Sequence, residues 1–159
     1  MIIRVPEDHD WPAWLAMRMS LWPGGSEEAH LAEMSTYGGS DPDFVTFLAT
    51  DAKGTPCAFA EASLRRYADG CDTGPVGYLE GIYVSPTYRN RGIARDLVAA
   101  VERWSQFRGC VEMASDCLHD NTDSILFHRS LGFAVVETLI HFQRDIPPLP
   151  GERPTSMFL

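Results

Sequence analysis

The chain has 159 residues, 45% of them hydrophobic, which is the usual size of one globular domain with a single substantial core. Its 13 Lys and Arg against 22 Asp and Glu give a formal net charge of -9, which argues against nucleic acid as the main partner and favours a cationic one. The same balance is also typical of an acidic protein whose charge only keeps it in solution.

Neither the start of the chain nor its cysteines indicate export. The stretch MIIRVPEDHDWPAWLAMRMS lacks the basic and then apolar segments of a secretory leader, and no apolar run approaches the roughly 20 residues needed to cross a bilayer. The four cysteines form no C-x-x-C pair and show no zinc-site spacing. We therefore expect a soluble, cytoplasmic protein with reduced thiols, no metal and no membrane partner.

The first half of the chain predicts a strand, two helices and a hairpin. The β-branched run MIIRV leads into a helical pattern that ends at WPGG. Ser26 is a candidate N-cap for a second helix, SEEAHLAEMSTYG, whose first turn is acidic. The segments FVTFLATD and CAFAEASLRRY, joined by the turn AKGT, predict a β-hairpin, and ADGCDTGPVG predicts a loop.

The second half alternates strands and helices. YLEGIYVSP predicts a strand closed by proline, and GIARDLVAAVERWSQFRG predicts an amphipathic helix that stops at Gly109. CVEMAS predicts a strand, NTDSILFHRSLG a shorter helix, and FAVVETLIHFQRDI two final strands. The order βααβββαβαββ indicates an α/β domain with a mixed sheet. We expect this domain to span residues 1–145, followed by an extended or disordered proline-rich tail at 146–159.

A basic turn interrupts this acidic chain. After a strand that ends at Pro86, the turn passes into the long helix, where unpaired N–H groups and the helix dipole converge on one point. Gly92 lets the backbone approach an anion closely, while Arg89, Arg91 and Arg95 supply charge. The motif alone also fits an ordinary strand-to-helix turn with solvated arginines.

Two segments carry a family resemblance. RNRGIA resembles the R/Q-x-x-G-x-G/A pyrophosphate motif of the GNAT superfamily of acetyl-CoA-dependent N-acyltransferases, and it lies between a central strand and a long helix as in that family. NTDSILFHRSLGF resembles the family's second cofactor segment. The resemblance implies acetyl-CoA as cosubstrate and the GNAT fold, a mixed, mostly antiparallel sheet with a splayed central strand pair flanked by helices.

From about residue 3 to 144, the chain also resembles a narrower group, the aminoglycoside 6′-N-acetyltransferases of the chromosomal type. Stretches such as FAEASLRR, VGYLEGIYV, VERW and GCVEMASD carry this likeness and are not general features of the superfamily. They imply transfer of acetyl to the 6′-amine of aminoglycosides, which confers resistance. An acetyltransferase for another amine, such as a polyamine or a protein N-terminus, and a non-catalytic acetyl-CoA-binding module are the alternatives.

The resemblance implies roles for single residues. Glu80, inside the central strand, is the expected general base acting through water, although it could instead anchor substrate or form a structural ion pair. His128 stands where many family members carry a tyrosine that acts as general acid, and it is either that acid or a packed core residue. Asp116 ends a strand on the side where the acceptor amine should enter.

Two sets of ligand contacts and an oligomeric state are also expected. Contacts to acetyl-CoA are expected from Ile82, Tyr83, Val84, Arg89, Arg91, Gly92, Ile93, Ala94, Arg95 and Asn121. Contacts to the aminoglycoside are expected from Trp22, Tyr67, Asp72, Glu80, Asp116 and Glu137, with core packing as the rival role for Trp22 and simple solvation for Asp72 and Glu137. The apolar edge FAVVETLIHF predicts a surface that a second chain covers, so we expect a homodimer.

Overall fold

One mixed sheet with helices on both faces forms the frame of residues 1–151, the part of the chain that this computed structural model describes. The elements follow the predicted order up to the last helix, at residues 122–130. They are β1 (Ile2–Arg4), α1 (Trp11–Leu21), α2 (Glu27–Tyr37), β2 (Phe44–Thr50), β3 (Pro56–Arg65), β4 (Val76–Val84), α3 (Ile93–Phe107), β5 (Met113–Ser115) and α4 (Thr122–Ser130). The α/β class predicted from the sequence is confirmed.

The sheet is splayed at its centre. Its strands lie in the order β1-β2-β3-β4-β5, with antiparallel pairing up to β4 and parallel pairing between β4 and β5. The parallel ladder joins only Gly77 to Met113, Tyr78 to Ala114 and Leu79 to Ser115, whereas β4 continues to Val84. The last part of β4 therefore has no strand partner on its β5 side, as the GNAT resemblance implied.

Each face of the sheet buries its own apolar cluster. Leu97 and Val101 of α3 are fully buried against one face, where the small side chain of Ala60 lets the helix approach closely. Burying a side chain such as Leu97 stabilises the fold by roughly 1.5–3 kcal/mol. On the other face, Trp14 of α1 and Met34 of α2 pack with Phe59. The sheet thus separates the α3 side from the α1 and α2 side.

The predicted helix ends agree with the structure where they can be compared. The Ser26 hydroxyl accepts a hydrogen bond from the Ala29 amide at 3.1 Å, which caps α2. Gly109 follows α3 with a φ of +83°, a conformation that costs glycine little. The strand after the predicted ADGCDTGPVG loop begins at Val76, slightly earlier than expected.

The two final strands predicted for FAVVETLIHFQRDI are wrong within the described residues, because positions 133–149 carry no strand or helix. A strand requires backbone hydrogen bonds to a neighbouring strand, and this segment pairs with none of the five strands. Ile140 is 80% exposed and Phe142 is 92% exposed. Of the expected tail, residues 146–151 are exposed and without regular structure, and 152–159 lie outside the described residues. No described helix is long and apolar enough to cross a membrane.

Candidate active site

The turn after β4 has the features of an anion site. Gly92 caps α3 with a φ of +80°, and a Cβ there would meet no atom within 4 Å, so glycine is required by backbone conformation and not by space. Helix geometry leaves the first N–H groups of α3 without intrahelical partners, and they face this turn. The arrangement fits the phosphates of a coenzyme-A-type ligand.

The arginines of this turn differ in what they contact. The Arg89 Nε donates to the Val84 carbonyl at 3.0 Å, which ties the turn to the end of β4. Arg91 lies over the ring of Tyr88, with its guanidinium carbon 5.4 Å from the ring centroid. Arg95, on the first turn of α3, is exposed. Arg89 therefore shapes the turn, while Arg91 and Arg95 leave charge at its rim.

The other residues predicted to contact acetyl-CoA lie at the end of β4 and at the starts of α3 and α4. Ile82 and Val84 pack into the cluster on the α3 face, whereas the Tyr83 ring stacks on Phe59 on the opposite face, so only the backbone of this stretch faces the opening. Ile93 is buried in the core and Ala94 is half-buried, which leaves their N–H groups as the available contacts. The side chain of Asn121 caps α4 by accepting from the Ser124 amide at 3.1 Å.

Glu80 lies at a bulge in β4, and its side chain is on the α1 and α2 side of the sheet. Glu61 pairs with Gly81 and Ala62 pairs with Leu79, so Glu80 is an extra residue without a partner on β3. Its side chain therefore lies on the same face as position 81, where a Cβ would clash with the ring of Trp22. Glycine at position 81 gives the indole its place beside the Glu80 carboxylate.

Glu80 and Trp22 line a cavity of about 420 Å³ between α1, α2 and the sheet. The cavity wall is rich in charge, and its remaining lining residues are Arg18, Gly25, Ala29, His30, Glu33, Tyr37 and Glu61. Carboxylates and aromatic rings in one concave site are suited to a sugar that carries ammonium groups. Sequence reasoning found only two members of this wall.

Glu80 is held by β3. Its Oε1 accepts hydrogen bonds from the Ser63 hydroxyl at 2.5 Å and from Arg65 Nε at 3.2 Å, and Arg65 Nη2 donates to both carboxylate oxygens at 2.9 Å. The Glu80 side chain is 21% exposed. These donors leave Oε2 as the less occupied oxygen of the carboxylate.

A buried ion pair supports the floor of the cavity. Arg18 and Glu61 are each 1% exposed and are hydrogen-bonded to one another, and Glu61 also accepts from the Trp14 indole N–H at 2.9 Å. Burial raises the pKa of the Glu61 carboxyl, and Arg18 opposes that shift. Arg18 also bonds Glu33 and lies 4.8 Å from the centroid of the Trp22 ring, so the pair helps to place the indole.

Asp116 lies just beyond β5 and is joined to β4. The Tyr78 hydroxyl donates to Asp116 Oδ2. Burial and the neighbouring Asp116 raise the pKa of Tyr78, so the phenol remains a donor at neutral pH. The Arg65 guanidinium carbon lies 3.4 Å from the centroid of the Tyr78 ring. Asp116 is thereby connected to Glu80 through Tyr78 and Arg65.

His128 lies at the point where β4 and β5 separate. Its Nδ1 is 2.8 Å from the Ser124 carbonyl, which can only accept, and its Nε2 is 2.8 Å from the Ser115 hydroxyl. That hydroxyl also donates to the Leu79 carbonyl at 3.0 Å. Both the Ser124 carbonyl and the Ser115 hydroxyl can accept a hydrogen bond from the ring nitrogen that each one faces. The ring also packs against Phe133, with centroids 5.5 Å apart.

Besides Asp116, three predicted substrate residues are not part of the cavity wall. Tyr67 is 68% exposed and donates to Asp69 at 2.7 Å, and Asp72 and Glu137 are exposed. The carboxylate of Asp69, with a smaller contribution from Glu137, raises the pKa of Tyr67. These residues lie around the loop before β4, on a different part of the surface from Trp22.

Several residues at the site escaped sequence reasoning. Glu61, Ser63 and Arg65 alternate along β3 and therefore point to one face, and two of them are charged residues within an apolar strand. That spacing was a usable signal. Tyr78 and Ser115 gave no comparable signal, because their roles depend on pairing between β4 and β5. Among the described residues, no cluster of His, Cys, Asp and Glu could hold a metal ion.

Comparison with known proteins gives a consistent result. Residues 11–133 match the model of the acetyltransferase (GNAT) family. The chain is 44% identical over 132 residues to aminoglycoside N(6′)-acetyltransferase type 1 of Salmonella typhimurium, covering 82% of this chain and 90% of the relative. It is 43% identical over 141 residues to the protein of the same name from Serratia marcescens, covering 87% of this chain and 96% of the relative.

Solved structures of the same kind also superpose on it. AAC(6′)-Iy in complex with the bisubstrate analogue CoA-S-monomethyl-acetylneamine matches with a TM-score of 0.84 and 40% identity, covering 91% of this chain and 98% of the other. Apo AAC(6′)-IG from Acinetobacter haemolyticus matches with a TM-score of 0.87 and 38% identity, covering 92% of this chain and 100% of the other.

Proposed function

This chain belongs to the acetyltransferase (GNAT) family, and on that basis we propose that it is an acetyl-CoA-dependent aminoglycoside 6′-N-acetyltransferase. The observation that carries the proposal is the position of Glu80. This residue lies in a cavity lined by carboxylates and aromatic rings, on the strand whose free edge borders the splay. An amine bound there would lie beside the edge along which a thioester can enter.

The turn before α3 and the free edge of β4 would hold acetyl-CoA, which supplies the acetyl group as a thioester. Backbone N–H groups at the start of α3 and the charges of Arg91 and Arg95 suit its phosphates. The backbone of Ile82–Val84 can accompany its arm, and an N–H there can polarise a carbonyl. Asn121, the N-cap residue of α4, is a further candidate contact for this arm.

Within this proposal, Glu80 prepares the acceptor amine. An ammonium group must lose a proton before it can act as a nucleophile, and a nearby carboxylate can accept that proton directly or through water. Trp22 offers an aromatic face beside Glu80, and Asp116 offers a second carboxylate. His128 is the candidate proton donor at the end of the β4–β5 ladder, because its ring reaches the Ser115 hydroxyl where the two strands separate, and an imidazole can donate a proton near neutral pH.

A matched pair of substrates tests the function. Neomycin B and paromomycin differ only in an amine or a hydroxyl at C6′. We expect thiol release from acetyl-CoA with neomycin B and little with paromomycin, and mass spectrometry should place the acetyl group on the C6′ nitrogen. Equal release with both, or faster release with spermidine or a peptide amine, would move the assignment to another amine.

We further propose that the chain acts as a homodimer in the cytoplasm. The segment 133–149 exposes apolar side chains, among them Val136 at 67% and Phe142 at 92%, which favours a second chain as its cover. All four cysteines are free thiols, as expected in a reducing compartment.

The dimer can be tested with a matched pair of variants. Phe142→Ser should lower the molar mass measured by light scattering at tens of micromolar. Phe107→Ser, which removes a phenylalanine that is 90% exposed on α3, should leave it unchanged. A wild-type protein that is monomeric at that concentration contradicts the proposal.

A further inference from the structure

We propose that Arg65 is a positioning residue that holds Glu80 and Asp116 in one arrangement for the acceptor amine. This inference rests on the proposed function and concerns a residue of β3 that is expected to touch neither substrate. Arg65 is half-exposed, with 41% of its side chain accessible, yet it has a partner on each side. One partner is the Glu80 carboxylate and the other is the ring of Tyr78.

The contact to Glu80 fixes the direction of its carboxylate. Arg65 Nη2 lies 2.9 Å from both oxygens, and Arg65 Nε lies 3.2 Å from Oε1. With the Ser63 hydroxyl at 2.5 Å, Oε1 accepts three hydrogen bonds and Oε2 accepts one. The planar guanidinium therefore leaves Oε2 as the oxygen best placed to receive a proton or an ammonium.

The contact to Tyr78 extends this order to Asp116. The guanidinium stacks on the ring at 3.4 Å from its centroid, and the hydroxyl of the same ring donates to Asp116. Tyr78 is 7% exposed, so it has little freedom to reorient. A displacement of Arg65 would loosen both carboxylates, although only one of them touches it.

Charge gives Arg65 a second effect. Around Glu80, the charged and titratable groups are Arg18, His30, Glu33, Tyr37 and Glu61 of the cavity wall and Asp116 across Tyr78. Carboxylates outnumber arginines in this set. Removing the Arg65 charge leaves Glu80 facing mainly like charges, which favours its protonated form. A protonated Glu80 could not accept the proton of the amine.

Steady-state kinetics against pH test this role. Arg65→Met should lower kcat/KM for neomycin B by about tenfold or more and move its acidic limb to higher pH, with little change in the KM for acetyl-CoA. Arg65→Lys restores the charge but not the planar, forked set of donors of a guanidinium. The acidic limb of the pH profile should therefore return towards its wild-type position, while kcat/KM stays reduced. Arg66→Met removes an exposed neighbouring arginine and should resemble the wild type.

NMR separates this inference from the proposed function. The Nε–H signal of Arg65 should be sharp in the wild type, because Glu80 and Tyr78 hold it, and should broaden in Glu80→Gln and in Tyr78→Leu. A protein that acetylates no aminoglycoside but shows this pattern would refute the function and still support Arg65 as the residue that holds Glu80 and Asp116 in one arrangement. If Arg65→Met does not fold, Arg65→Gln, which keeps donors without the charge, replaces it in the kinetics. An acidic limb that does not move when the charge is removed, or an Arg65 signal insensitive to both neighbours, overturns the proposal.

Discussion

Replacing Glu61 with glutamine should destabilise the fold far more than the same change at Glu33, although both carboxylates bond Arg18. Glu61 is 1% exposed, whereas the Glu33 side chain is 61% exposed. Removing one partner of a buried ion pair leaves the other charge buried without its counter-charge, which lowers the free energy of unfolding by about 3–5 kcal/mol. Glu33 still pairs with Arg18 in the Glu61→Gln variant, so we expect the lower end, about 3 kcal/mol.

Thermal and urea unfolding measure this difference. For a chain of this length, about 3 kcal/mol corresponds to a fall in Tm of roughly 6–12 °C. Glu33→Gln removes a largely solvated pair, so its cost should be about 0–1 kcal/mol. The double variant Arg18→Met/Glu61→Gln removes both buried charges and keeps an acceptor for the Trp14 indole, so it should unfold at a higher temperature than Glu61→Gln alone.

Two results would refute the reasoning. Equal losses for Glu61→Gln and Glu33→Gln would mean that burial does not set the strength of this pair. A double variant less stable than Glu61→Gln would mean that Arg18 stabilises the fold without Glu61. In either case, the pair could not be regarded as the support of the Trp22 ring.

Three further predictions concern the cofactor turn, the acceptor site and acid stability. Gly92→Asp should weaken acetyl-CoA binding strongly in calorimetry, because it adds negative charge where phosphates are expected and strains a φ of +80°. Gly92→Asn, which tolerates that φ better, should weaken binding less. Unchanged affinity in a folded Gly92→Asp variant contradicts the placement of acetyl-CoA at this turn. Asp116→Asn should lower kcat/KM for neomycin B by about tenfold to a hundredfold and leave acetyl-CoA affinity unchanged; equal damage to both would place Asp116 outside the acceptor site. Asp10 is 1% exposed, and its hydrogen bonds to Arg4 hold its pKa below the ordinary 3.8, so its stabilising effect is complete above that value and is lost as the pH falls through the lowered pKa. The free energy of unfolding, measured with urea from neutral pH to about pH 3, should therefore fall less steeply in Asp10→Asn than in the wild type. Equal pH dependence in the two proteins would exclude this effect.

Local patterns determined much of what the sequence could predict. The helical stripe of α3 and its glycine stop appear at the expected residues because periodicity and left-handed backbone are properties of a short segment. The strand pattern at 133–146 failed for the opposite reason. An alternating apolar segment can become a strand only when an edge is available, and the sequence of one chain does not reveal which edge that is.

The same distinction holds at the site. Glu80 could be proposed from its place in a resembling motif, but its partner Arg65 depends on which residues of β3 and β4 are paired. A shift of one residue moves every side chain to the other face. Alternation from Tyr78, which pairs with Ser63, places Glu80 on the face of Ser63 and Arg65. The bulge adds Gly81 to that face, where the missing Cβ makes room for the ring of Trp22, and periodicity does not encode this irregularity.

The contact with Arg65 also reconciles two requirements on Glu80 that otherwise conflict. A carboxylate that binds a polycation should be held in one orientation, and Arg65 and Ser63 hold it through Oε1. A carboxylate that removes a proton from an amine must also keep a lone pair accessible, and Oε2, with one hydrogen bond, has one. Dividing these tasks between the two oxygens requires that the carboxylate not rotate. Since the guanidinium fork and the Tyr78 ring behind it prevent that rotation, an acidic cavity can bind a charged amine and still accept its proton.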